Sequence, residues 1–194
     1  MKNLWMCGLL LAVGLTGCEK NEAVKPAENP ITTLLSEESQ ALKIVAYRTN
    51  SFRESGVLFS SSVAGKITQV GSKLPDAGIY VVTVWDFNNG QILLQKTVEQ
   101  EVPDKLSLTD TDLVPLTIDK QYVISVNNRS GSRGEGSVAF AFKASGGDVF
   151  PTSKGNITMH ASRSGNGNTV AFPASSNNQF STIYGFPEFT FIPD

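Results

Sequence analysis

Residues 79–87 (IYVVTVWDF) constrain the fold most. The run is β-branched or aromatic almost throughout. Such side chains pack well on a pleated sheet and lose rotamer freedom in a helix. Asn88-Asn89-Gly90 follows, and Asn-Gly tolerates the positive φ angles of a tight hairpin turn. Residues 91–98 (QILLQKTV) then return as the partner strand. The first of these strands is apolar enough to be buried on both faces or nearly so.

Similar runs recur along the chain. Residues 56–60 (GVLFS) are short and apolar, and β signals accumulate from Ile44 onward. Residues 66–74 form another run, in which Ile67 and Val70 break strict alternation and predict a bulge or a register change. Pro75-Asp76-Ala77-Gly78 is turn chemistry. Further strands are expected at 105–109, 113–118, 121–127, 137–143, 156–160 and 188–192. Turn signals every eight to twelve residues give the rhythm of a sandwich. The expected fold is all-β, an antiparallel, jelly-roll-like β-sandwich, with no long amphipathic helix and no internal repeat. Residues 32–42 (TTLLSEESQAL) are read as carrying a first strand at 33–35, the alternative being a short helix started by Ser36-Glu37-Glu38. Residues 127–136, 161–168 and 175–179 are rich in Gly, Ser, Asn, Arg or Gln and read as surface loops. Their functional reading is ligand contact at one end of the scaffold.

The N-terminus carries an address. Lys2 precedes a short apolar run from Leu4 to Val13, and the segment closes with Leu15-Thr16-Gly17-Cys18. A charged start and an apolar run too short to span a bilayer well describe a secretory signal. The closing tetrapeptide resembles a bacterial lipobox, whose cysteine is acylated and becomes the new N-terminus. Residues 1–17 are therefore expected to be removed, Cys18 to carry lipid (palmitate among the acyl chains), and the protein to be held at the cell envelope, on the outer membrane. Residues 18–31 read as a flexible tether and 32–194 as the sandwich domain.

Processing would take away Lys2 and Cys7, leaving 15 basic against 18 acidic residues and one cysteine, Cys18. That balance argues against a strongly basic nucleic-acid footprint and against a polybasic membrane patch. The domain contains no disulfide, and a chain of this size can bury a core without one.

Catalytic chemistry finds little support. A zinc site needs three or four ligands, and the chain offers a single histidine, His160. A serine triad would have to use it, with Ser162 and Ser164 near in sequence, but no nucleophile elbow is present. Asp86, Asp104, Asp110, Asp112, Asp119 and Glu188 read as solvated or turn-capping carboxylates rather than a glycosidase pair. Asp110-Thr111-Asp112 lacks the full spacing of a calcium loop. No cofactor is expected.

Aromatic residues suggest binding instead. Trp85 shares a strand face with Val81 and Thr83 and reads as core, with a sugar-stacking platform as the sharper alternative. Phe180, Tyr184 and Phe186 lie near Asn177, Asn178 and Gln179. Rings that stack on sugar C–H faces and amides that bond hydroxyls are what a glycan site needs. The candidate ligand residues are thus Trp85, Asn177, Asn178, Phe180 and Tyr184. Alternation in the closing strand assigns Phe189 and Phe191 to the core.

The order of motifs carries a resemblance. Gly56-Val57-Leu58-Phe59-Ser60 is followed by Ala64-Gly65-Lys66-Ile67-Thr68, then Val82-Thr83-Val84-Trp85-Asp86 and Gln91-Ile92-Leu93-Leu94. Tyr122-Val123-Ile124-Ser125-Val126 and a close at Glu188-Phe189-Thr190-Phe191 complete the series. Over about residues 50–194 the sequence resembles the domain of unknown function four-zero-eight-two, found in secreted bacterial proteins beside immunoglobulin-like or carbohydrate-active modules. Residues 127–171 depart from that pattern. The resemblance implies a β-sandwich outside the cytoplasm and supplies no catalytic residues. The combined expectation is a monomeric, lipid-anchored, noncatalytic binding or adhesion module, with a glycan or an envelope protein as partner and no nucleic acid. A structural lipoprotein packed against an outer-membrane partner is the alternative, and a hydrolase the remote one.

Overall fold

The computed structural model describes residues 25–129, 135–174 and 179–194. Cys18, Asn177 and Asn178 lie outside the described residues, as does the export signal. The chain is an antiparallel β-sandwich with one short helix. Its elements run α1 (Pro30–Glu37), β1 (Leu42–Thr49), β2 (Arg53–Ser61), β3 (Gly65–Ser72), β4 (Gly78–Asp86), β5 (Ile92–Gln100), β6 (Ser107–Leu116), β7 (Gln121–Asn127), β8 (Gly136–Lys143), β9 (Thr152–Lys154), β10 (Ile157–Asn166), β11 (Thr182–Tyr184) and β12 (Pro187–Pro193).

One layer is a six-stranded sheet in the order β5-β4-β7-β2-β10-β9. Two three-stranded sheets, β12-β3-β6 and β1-β8-β11, pack on its inner face. Between the layers lie Val57, Phe59, Tyr80, Val82, Val84, Tyr122, Ile124, Val126, Ile157 and Met159 from the large sheet. Ile67, Val70, Phe189 and Phe191 meet them from one small sheet, and Ala139, Ala141 and Ile183 from the other. Phe59 and Phe189 join the layers, ring centroids 4.6 Å apart.

The expected hairpin forms. β4 and β5 pair over their length, and Gly90 takes φ +67° at the turn, where a side chain would be strained. The broken alternation at Ile67–Val70 coincides with register shifts in both ladders of β3.

Four readings are corrected. The segment read as a strand at 33–35 is α1, and Ser36-Glu37-Glu38 ends that helix rather than starting one. Pro30 suits a first helical turn, and Ile31, Leu34 and Leu35 form its buried stripe. The buried Glu188 carboxylate accepts hydrogen bonds from the N–H groups of Ile31 (3.4 Å) and Thr32 (2.5 Å), which otherwise lack partners at a helix start. Secondly, the two strands expected at 105–109 and 113–118 are one bulged strand, β6, over Ser107–Leu116. Thirdly, much of the expected loop 161–168 is strand. β10 runs to Asn166, paired with β2 as far as Arg53. Finally, the end of the expected tether is docked. Glu28 exchanges backbone hydrogen bonds with Phe191 (2.8 and 2.9 Å), and its carboxylate accepts from Asn156 N (2.8 Å).

Candidate functional site: an outward aromatic face and a covered acid

Strand β8 is built the wrong way round for a simple sandwich. Its small residues Ala139 and Ala141 point into the core, and its large residues Phe140 and Phe142 lie on the outer face, half-buried. Register places Val45 and Tyr184 on either side of Phe140, and Lys43 and Thr182 on either side of Phe142. Phe140 is the hub. Its centroid lies 6.3 Å from Tyr47, 6.0 Å from Phe142 and 5.9 Å from Tyr184. The Phe140 and Phe142 planes are within 24° of each other, and Tyr47 is 47% exposed. Four rings thus share one outer sheet surface, flanked by a lysine and a threonine. Aromatic surface left outside a core marks a binding site more often than scattered apolar residues do.

The sequence candidates separate. Tyr184 belongs to this face. Phe180 is 45% exposed, and its carbonyl accepts the N–H groups of Val149 (2.8 Å) and Phe150 (3.0 Å). Phe186 is buried. Trp85 lies elsewhere, on the outer face of the six-stranded sheet, only 3% exposed. Tyr47, Phe140 and Phe142 escaped sequence reading. The signal was available in Val138-Ala139-Phe140-Ala141-Phe142, where small and aromatic residues alternate, but alternation does not say which set faces in.

Trp85 is covered by residues 167–174. Phe172 meets its indole edge-on at 5.7 Å, and Leu58 and Val123 pack beneath. Arg163 Nε donates to Pro173 O (3.0 Å), and its guanidinium lies 5.1 Å from the Phe87 centroid and 5.8 Å from that of Phe172. Under the cover runs a chain of hydrogen bonds. Trp85 Nε1 donates to Ser125 Oγ (2.7 Å), and Ser125 donates to Glu54 Oε1 (2.6 Å). Asn127 Nδ2 donates to Glu54 Oε2 (3.0 Å). Glu54 is 2% exposed, and burial pushes its carboxyl up to about 7, against the pull of those two donors. Thr83 Oγ1, on the same face, is buried without a hydrogen-bond partner among the described residues. Glu54 was not among the carboxylates singled out by sequence.

Glu188 was singled out as solvated or turn-capping, and it is 1% exposed. Burial raises it to about 7 despite donors from Thr32, Phe189 and Ile31. Asp86 pairs with Lys120 at 2.7 Å, which holds the carboxyl below its ordinary value. His160 sits at the β10 bulge and bonds Ser60 Oγ (2.9 Å) rather than a neighbouring serine of its own strand. Burial lowers its basicity, and no carboxylate bonds its other ring nitrogen among the described residues. Asp110 accepts from Gln69 Nε2 at 2.8 Å. Among the described residues no three His, Cys, Asp or Glu side chains gather as metal ligands, and no helix is long and apolar enough to cross a membrane.

No known family model matches the chain, and no curated protein matches it either.

Proposed function

We propose that the protein is a lipid-anchored, exported, noncatalytic binding module of the bacterial cell envelope, and that its ligand surface is the Tyr47–Phe140–Phe142–Tyr184 face. The inverted strand β8 carries this reading: two phenylalanines stand outside while alanines fill the core. A glycan is the ligand class that suits it. Sugar C–H faces stack on aromatic rings, and Lys43, Thr182 and the two tyrosine hydroxyls flank those rings to bond hydroxyl groups. The lipobox-like Leu15-Thr16-Gly17-Cys18 supports placement outside the cytoplasm. An array of glycans and envelope polymers tests the reading. Wild type should retain a subset that Phe140→Ala and Tyr184→Ala release. Absence of any bound glycan would remove the glycan ligand.

A protein partner is the second reading. Leu93 and Leu113, 38% and 60% exposed, line a cleft of about 300 Å³ with Pro115, Thr117 and Lys120. Crosslinking in cells separates the two, because an accessory lipoprotein should yield one reproducible protein partner.

A further inference from the structure

The cover over Trp85 lies directly beside a buried acid. Glu54 is opposite Gly165 in the β2–β10 ladder. A Cβ on Gly165 would lie 3.3 Å from Pro173 Cα, so the cover passes over the bare glycine next to the carboxyl. Asn127, which bonds that carboxyl, lines a cleft of about 350 Å³ along one flank of the cover, with Asn168, Thr169 and Val170. A second cleft of about 400 Å³ lies against Ser164, Asn166, Phe172 and Ala174. The cover is therefore bordered by open space on two flanks. Described polar ties hold it at Gly167 N to Phe52 O (3.2 Å), Arg129 Nη1 to Asn168 O (3.2 Å) and Arg163 Nε to Pro173 O.

We propose that residues 167–174 are a proton-responsive cover, closed over Trp85 while Glu54 is protonated and lifted when Glu54 ionises. A buried carboxylate without a counter-charge is costly, and water is the cheapest compensation. The Asn127 cleft, lined by a residue that bonds the carboxyl, gives water a way in. The Trp85–Ser125–Glu54 chain then transmits the change to the ring on which Phe172 rests. Among the described residues few charged groups compete. β7 presents Ser125 and Asn127, β4 presents Val81 and Thr83, and the cover has no ionisable side chain. Arg163 on β10 shares the covered face and is held against Pro173, Phe87 and Phe172. Arg53 precedes Glu54 on β2 and is exposed. Arg129 lies over Phe52, and His160 bonds Ser60 farther along the sheet. Tyr184 on β11 binds through its backbone to Ser162 on the inner side. Such a device responds to external pH if the protein is exported, but it stands apart from the aromatic face.

The full chain carrying Trp5→Phe leaves Trp85 as the sole tryptophan. Its emission maximum and acrylamide quenching should be followed from pH 5 to pH 9. A red shift and a several-fold rise in quenching are expected, with a midpoint near neutrality. Glu54→Gln should stay shielded throughout, and Glu188→Gln should leave the transition in place. Phe172→Ala should expose the indole at every pH. Should Glu54→Gln fail to fold by circular dichroism, Asn127→Ala replaces it, because losing a donor to the ionised form must raise the midpoint. A flat wild-type curve, a transition that survives Glu54→Gln or vanishes in Glu188→Gln, or an unmoved midpoint in Asn127→Ala overturns the proposal.

Discussion

At the scale of single residues, the two buried glutamates set the response to pH. Glu54 and Glu188 are raised from 4.5 to about 7. The folded chain therefore holds protons that the unfolded chain releases between those values. The stabilisation is complete below about pH 4.5 and is lost as pH rises through about 7, at roughly 3 kcal/mol per group at most. Urea midpoints should fall between pH 5 and pH 8. Glu188→Gln removes the titration and should flatten the fall, and the pH 5 midpoint should drop as well, because an amide nitrogen cannot accept the backbone N–H groups that both carboxyl oxygens bind. A wild-type midpoint that rises with pH would contradict this assignment. Gly90 offers a smaller test. With φ at +67°, Gly90→Ala should cost about 1 kcal/mol in the same assay. The turn was legible because Asn-Gly chemistry is local. Neither glutamate's burial was, because it is created by strands far apart in sequence.

At the scale of elements, strand runs and turns were legible where propensity and burial agreed. β4, β5 and β7 lie almost where their β-branched runs predict. Phe189 and Phe191 are core as alternation assigns, at 1% and 0% exposure. Phe59 joins the layers, so Phe59→Ala should cost about 3–5 kcal/mol by chemical denaturation. Helix α1 was misread because eight residues give too few turns for a period to stand out. Its N-terminus is also satisfied by Glu188, more than 150 residues away, instead of by a local cap. The second half of β10, residues 161–166, was misread as loop because its Ser, Gly and Asn residues have low strand propensity, and pairing with β2 overrides it. The candidate ligand residues were only partly legible for the same reason. Tyr184 is on the aromatic face, but its neighbours come from β1 and β8, and which side of β8 faces inward depends on what packs there.

At the scale of the whole molecule, position and binding are the two halves of the proposal. A lipid on Cys18 predicts that cells incorporate labelled palmitate into wild type and not into Cys18→Ser. Because Glu28 is docked on β12, the nine residues between would keep the domain within about 35 Å of the lipid. Within that reach the Tyr47–Phe140–Phe142–Tyr184 face is the surface we propose for a partner. Electrophoresis through gels cast with soluble polysaccharides measures its role most directly, since it compares the two aromatic sites in one experiment. A polysaccharide that retards wild type and Trp85→Phe but not Tyr184→Ala or Phe140→Ala is the expected result. Contradiction would be retardation that survives both face variants, or that is lost only in Trp85→Phe.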